Sequence, residues 1–307
     1  MTNISLSNLR FPLLIDGGLS NVLEEQGCDL NHDLWSAHIL ESNPEEIIKA
    51  HLTYLESGAQ CITTSSYQAS IPGFMKLGYS RSKAESLILK SVELAEIAVH
   101  RFIASNNDKL NPLIAASIGP YGAYLADGSE YTGNYGVSDE VLYEFHYDRI
   151  KLLDQSSSDI FAIETIPGYK EAKVLSDILK QSKKFAWISF SCKDEQNIND
   201  GTLIVKAVAL FKNHPNVFAI GVNCTNPRYI SAIIQTLRSA IGDKRIIVYP
   251  NSGESYNAKS KTWMGISDPN LFSEMTKEWI DLGADIIGGC CRIGPQHICS
   301  LSKILNN

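Results

Sequence analysis

The stretch Asn43–Thr64, NPEEIIKAHLTYLESGAQCITT, decides the fold. It opens with Asn43 as a helix cap, Pro44 at the first helical position and Glu45 and Glu46 in the first turn. Ile47, Ala50, His51 and Tyr54 then recur at helical spacing. Gly58 supplies the stop, and the apolar run Gln60–Thr64 follows as a strand. The passage from helix through Gly-Ala into strand returns at Leu282-Gly283-Ala284-Asp285. Working outward from these two copies, eight strands are expected: Leu13–Asp16, Gln60–Thr64, Leu113–Ser117, Ile160–Glu164, Phe185–Phe190, Phe218–Asn223, Ile246–Tyr249 and Asp285–Ile287. Their apolar runs are mostly continuous, as when both faces of a parallel sheet are buried, and amphipathic helix patterns lie between them.

Such a pattern fits an open sheet or a closed barrel. Polar residues and cysteines stand at the C-terminal end of nearly every strand: Asp16, Thr64, Ser117, Glu164, Ser189, Asn223-Cys224, Asn251 and Cys290-Cys291. Barrel enzymes build their sites on that rim, whereas an open sheet concentrates them at one switch point. The expected fold is therefore α/β, a (β/α)₈ TIM barrel in which residues 1–307 form a single domain.

The composition agrees. Of 307 residues, 44% are apolar and 20% charged, ordinary for a globular chain. A net charge of −7 offers no basic field for nucleic acid. The run Phe11–Ile15 is too short for a signal or a membrane span, and no later segment reaches membrane length. Seven cysteines without a secretion signal argue for reduced thiols in a cytoplasmic protein.

Cys224 follows the sixth strand, and Cys290 and Cys291 follow the eighth, so all three can meet over a barrel mouth. A catalytic zinc takes three protein ligands and keeps one place open. Three thiolates on a divalent zinc leave a singly negative site, and a fourth thiol that binds there loses its proton. A free alkyl thiol has a pKa of about 8.5 and is mostly protonated at neutral pH, so the metal supplies a nucleophile that solution does not. Gly288 and Gly289 would permit unusual backbone angles and close packing beside the pair. The plainer alternative is small packed apolar side chains, which is the reading for Cys61 and Cys192; Cys28 and Cys299 have no evident partners.

Asp16-Gly17-Gly18, Gly221-Val222-Asn223-Cys224 and Gly288-Gly289-Cys290-Cys291-Arg292 together resemble the homocysteine S-methyltransferase family, across essentially the whole chain. Leu34–Ala37, Thr64–Ala69, Ser117–Ala123, Asp127–Tyr131 and Tyr249–Glu254 are similar to its S-methylmethionine branch. The resemblance implies a barrel, a Zn²⁺ cofactor held by Cys224, Cys290 and Cys291, and homocysteine bound through its thiol to the metal. It also implies that Asp16 and Glu164 lie near the substrate amino group. The substrate site is accordingly expected from Asp16, Gly17, Gly18, Thr64, Glu164, Asn223 and Asn251, with Asp16, Glu164 and Asn223 in the catalytic role. From the residues alone, Asp16 serves equally as a helix cap and Asn223 as a turn residue. Gln68 stands where the betaine enzymes carry tyrosine, and their long C-terminal extension is missing, which favours S-methylmethionine over betaine.

The expected reaction is an in-line displacement onto the thiol of homocysteine, giving methionine. A sulfonium favours aromatic faces, and Trp35, Tyr131, Tyr135 and Tyr256 are candidates on rim loops, with Gly119–Ser138 as a lid. Arg292 reads as a carboxylate partner or a salt bridge, and His32, His38, His146 and His297 as helix or surface residues. Other donors (S-adenosylmethionine, betaine), selenocysteine as acceptor, and a non-catalytic Cys₃ metal-binding protein remain open alternatives. The expected partners are small molecules, without nucleic acid or membrane, for a monomer or small homo-oligomer.

Overall fold

The computed structural model describes residues 9–30, 38–106, 111–253, 255–257, 262–264 and 268–306. His32, Leu34–Ala37 with Trp35, and Glu254 lie outside the described residues, as does the side chain of Tyr256. The helix Pro44–Glu56 forms as the sequence predicts. Its cap differs, because Asn43 makes no side-chain capping bond; its carbonyl accepts from Glu46 N at 3.1 Å instead. Gly58 stops the helix at φ 101°, where Gly58 N donates to Leu55 O and Ala59 N to Tyr54 O. Gly283 does the same at φ 107°, with Gly283 N on Ile280 O and Ala284 N on Trp279 O. Both are left-handed helix ends closed by paired backbone bonds, so the two copies share a physical cause.

The strands are β1 (Leu13–Leu14), β2 (Cys61–Thr63), β3 (Leu113–Ile118), β4 (Ile160–Ile166), β5 (Ala186–Phe190), β6 (Val217–Asn223), β7 (Arg245–Tyr249), β8 (Ser255–Asn257), β9 (Thr262–Met264) and β10 (Ile286–Ile287). Eight of them form one parallel sheet in the order β1-β10-β7-β6-β5-β4-β3-β2. A parallel bridge from Ile15 to Cys61, with Asp16 N donating to Cys61 O at 3.1 Å, joins its two ends into a TIM barrel. The antiparallel pair β8 and β9 is additional to the expected eight strands. No helix among the described residues is long and apolar enough to cross a membrane.

Strand alternation sorts the core into two clusters. Leu13, Ile15, Cys61, Leu113, Ala115, Ile160, Ala162, Trp187, Ala219, Ile247 and Tyr249 fill the barrel interior. Leu14, Ile62, Ile114, Ala116, Phe161, Ile163, Ile188, Ile220 and Val248 pack outward against the helices. The side-chain period of two sends every second residue inward. Continuing the inward phase one step along β3, β4 and β5 reaches Ser117, Glu164 and Ser189, and two steps along β6, past Gly221, reach Asn223, all four buried. A polar layer therefore caps an apolar one, and it forms the floor of the site.

Candidate active site

Above that floor lies a cavity of about 390 Å³. Asp16, Gly17, Gly18, Thr64, Glu164, Cys224, Cys290 and Cys291 line it, together with Tyr67, Gln68, Ser117, Glu130, Tyr131 and Tyr249. Among the described lining residues there is no lysine, arginine or histidine. Carboxyls and thiols without a basic partner make a site that favours cations.

The three sulfurs converge. Cys224 Sγ lies 3.8 Å from Cys291 Sγ, and Cys290 Sγ lies 4.0 Å from it. All three lie within 4.8 Å of one another, and the cluster can hold a metal ion. Cys291 is held well below the ordinary thiol range because Cys224 and Cys290 both hydrogen-bond to it. Cys290 is pushed up by its contacts with Cys224 and Cys291, and then by burial. All seven cysteines are free thiols.

Backbone geometry presents these groups. Ala126, Thr165, Cys224 and Arg292 adopt φ values of 54°, 62°, 47° and 64°. Ala126, Thr165 and Cys224 line the cavity, and Arg292 follows the cysteine pair. Left-handed non-glycine residues cost about 1–3 kcal/mol each and gather where surrounding structure enforces a functional geometry. Gly288 and Gly289 do not adopt the unusual backbone angles expected of them, since neither lies among the positive-φ glycines, but the expected close packing is present. Their role is close approach: a Cβ on Gly289 would lie 2.0 Å from Ile293 Cγ2, and one on Gly288 would lie 2.3 Å from Ile15 Cγ1.

Asn223 sits beneath the cluster. Its Oδ1 accepts from Thr165 N at 2.7 Å and Ser189 Oγ at 2.8 Å. Its Nδ2 donates to Thr165 Oγ1 at 2.8 Å and toward Cys290 Sγ at 3.9 Å. One amide thus couples the turn after Glu164 to a sulfur of the cluster.

The two expected acids are buried. Asp16 accepts from Thr63 N at 2.7 Å and Thr63 Oγ1 at 3.1 Å, which ties β1 to β2 rather than capping a helix. Burial pushes its carboxyl well up against the Thr63 bonds, and Glu164 adds to the rise. Glu164 accepts from Ser117 Oγ, and burial pushes it up to about 7 despite bonds from Ser117 and Tyr249. Thr64 lines the cavity, but its hydroxyl is engaged by Ser66 Oγ at 2.6 Å and Ser117 N at 3.0 Å. Asn251 is not among the lining residues; its Oδ1 accepts from Gly253 N at 2.9 Å. Arg292 is exposed, and its backbone N donates to Asn21 Oδ1 at 3.2 Å.

Of the aromatic candidates, Tyr131 lines the cavity. Tyr135 turns away and donates to Glu171 Oε2 at 2.8 Å. His146 lies on the helix Asp139–Leu153 but is buried, not superficial: its Nε2 meets Glu171 Oε1 at 2.8 Å. Glu171 Oε1 also accepts from Tyr121 N at 2.6 Å. Arg149 lies 3.3 Å from His146 Nδ1 and donates to Gly119 O at 2.6 Å. Burial pushes Arg149 down to about 10. This buried network anchors both ends of the segment that carries Ala126, Gly128, Glu130 and Tyr131 over the cavity. Sequence reading missed it, along with Glu130; the spacing of His146 and Arg149 on one helix face was the available signal.

Comparison with known proteins gives a consistent picture. The homocysteine S-methyltransferase family model matches residues 13–305. Homocysteine S-methyltransferase YbgG of Bacillus subtilis (strain 168) is 44% identical, over 94% of this chain and 93% of its own. Selenocysteine Se-methyltransferase of Brassica oleracea var. italica is 42% identical, over 95% of this chain and 88% of its own. Among solved structures, the metallated homocysteine methyltransferase MmuM from Escherichia coli superposes with a TM-score of 0.87 at 38% identity, covering 97% of this chain and 98% of that one.

Proposed function

The chain belongs to the homocysteine S-methyltransferase family, and from that premise we propose that it moves a methyl group from S-methylmethionine to the thiol of homocysteine, using zinc held by Cys224, Cys290 and Cys291. The observation that carries this reading is the sulfur geometry. Two ligands of a tetrahedral zinc with Zn–S bonds of about 2.3 Å lie about 3.8 Å apart. The separations of 3.8 and 4.0 Å match that edge. Soft thiolate ligands in a tetrahedral arrangement favour zinc over the hard cations. Held by these three cysteines, zinc would supply Lewis acidity that lowers the pKa of a homocysteine thiol.

The chain's own residues do the rest. Asp16 and Glu164 receive the homocysteine ammonium, which supplies the charge that two buried carboxyls lack. Asn223 holds Cys290 and the Thr165 turn in register. The segment anchored by Glu171 covers the mouth and excludes water. In the transfer, a bond forms between the homocysteine sulfur and the methyl carbon as the bond from that carbon to the sulfonium sulfur breaks. The leaving group is a neutral thioether, methionine itself, so no general acid is required. Alignment of the two sulfurs about the methyl carbon is the main contribution asked of the protein. Tyr67 and Tyr131 offer ring faces to the sulfonium. The whole chain acts as one homocysteine-binding domain, and its free thiols suit a reducing, cytoplasmic compartment.

The 42% identical selenocysteine methyltransferase supports a second acceptor, the selenol of selenocysteine, in the same place. The test is methionine formation from homocysteine and S-methylmethionine, with and without a zinc chelator. Turnover abolished by chelation and restored by zinc is expected. Turnover indifferent to chelation removes the metal, and no turnover removes the donor.

A further inference from the structure

The cavity has acid on two sides, and the second side has no task in the chemistry above. Asp16 and Glu164 belong to the barrel floor, and both already accept protein hydrogen bonds. Glu130 belongs to the overlying segment, beside Gly128 and Tyr131, and lines the same cavity. Its Oε2 is buried without a hydrogen-bond partner. Gln68 lines the cavity too. Its Nε2 donates to Ala123 O at 2.9 Å, which identifies Oε1 as the acceptor end, and that atom is also buried without a partner. Both residues lean on the short helix Tyr121–Leu125. Gln68 bonds its Ala123, and a Cβ on Gly122 would lie only 2.4 Å from Glu130 N.

We infer that Glu130 and Gln68 form a subsite for the primary ammonium of an amino-acid sulfonium donor, so that the donor must carry an N–H-bearing cation as well as its sulfonium. This rests on the reading that the enzyme takes a sulfonium donor. Two orphaned acceptors in a cavity whose described lining has no basic residue call for a ligand that brings donors and positive charge. A primary ammonium offers both. A quaternary ammonium such as betaine carries the charge without an N–H, and leaves both acceptors unpaired. Burial raises the Glu130 carboxyl, with Asp127 and Cys291 adding to the rise; an ammonium beside it offsets that effect.

The test compares S-methylmethionine with 4-(dimethylsulfonio)butanoate, the same molecule with hydrogen in place of the ammonium. Both are assayed as donors to homocysteine with the zinc-loaded wild type and Glu130→Gln. Binding of each to the zinc-loaded proteins is measured in parallel by calorimetry, without turnover. A charge-assisted hydrogen bond is worth about 10–100-fold here. The wild type should prefer S-methylmethionine by at least that factor in kcat/KM and in affinity. E130Q should lose about that factor on S-methylmethionine, keep its value on the butanoate, and keep its zinc content and its KM for homocysteine. Equal losses on both donors, or a wild type indifferent to the ammonium, overturn the subsite while methyl transfer stands. Ammonium-dependent binding that E130Q weakens, without turnover of either compound, upholds the subsite and overturns the transfer reaction instead.

Discussion

Glu164→Gln should make the protein more stable and less active, and the stability gain should depend on pH in one direction. Burial lifts the Glu164 carboxyl from 4.5 to about 7 in the substrate-free protein. Between those values the native state binds more protons than the unfolded chain, so stability falls as pH rises through the window and levels off above about 7. At about 1.4 kcal/mol per pH unit, the ionised carboxylate costs about 3 kcal/mol at pH 8 and almost nothing at pH 4.5. Glutamine carries no charge, and its Oε1 can accept the Ser117 hydroxyl that Glu164 accepts now. Urea unfolding of reduced, metal-free protein should therefore show E164Q more stable than wild type by about 3 kcal/mol at pH 8, a Tm gain of about 5 °C for a chain of 307 residues. The two should converge near pH 4.5. In the zinc-loaded enzyme the same variant should lose about 10–100-fold in kcat/KM for homocysteine, because a charged partner of the ammonium is gone. A wild type at least as stable as E164Q at pH 8, or an identical gap at both pH values, would refute the argument that burial of an unpaired acid is stored there for substrate.

Three further outcomes follow from the same geometry. Asn223→Ala should lower metal affinity about 10–100-fold by competition with a chelating dye, because the amide that orients Cys290 is lost. It should also cost about 1–3 kcal/mol for Thr165 N, a buried donor left without an acceptor, whereas Ser189 Oγ keeps Tyr249 Oη at 2.6 Å. Gly289→Ala should cost about 1–3 kcal/mol in urea unfolding, since its Cβ meets Ile293 at 2.0 Å beside the cysteine pair. Ile293→Val should not rescue it, because Ile293 Cβ itself would lie 2.3 Å away. Glu171→Gln should weaken the bonds to Tyr121, Tyr135 and His146, cost about 1.5–3 kcal/mol, and speed amide exchange in residues 121–135 with metal content unchanged.

The barrel was legible because its cause is local. Strands buried on both faces read as continuous apolar runs, and Gly58 and Gly283 each end a helix by the same backbone device. The cysteines were legible by position, since residues at the ends of β6 and β10 must face one mouth once the barrel closes. Asn251 shows the limit of that argument. The inward phase of β7 ends on Tyr249, whose ring is buried, and two residues later the chain has left the strand. Its side chain then closes a turn on Gly253. Asn43 shows another limit, because a capping residue in sequence still needs the right backbone angles, and its φ of −144° and ψ of 60° are not those of a capping turn. The Glu171 network was illegible for a third reason. Its members come from two helices and the segment between Gly119 and Tyr135, and no single stretch records which helix faces meet. Glu130 was hidden in the same way, because only the folded segment places its carboxyl over the cysteines' side of the mouth.

The central claim is that three converged sulfurs hold a metal and leave one place for a thiol. Cobalt in place of zinc reports that directly through its thiolate charge-transfer absorption. One equivalent bound to the wild type should show a Cys₃ band that intensifies as homocysteine adds a further thiolate, and neither the band nor the change should survive Cys290→Ser. A cobalt spectrum that ignores homocysteine, or a full-strength site in the serine variant, would contradict the account.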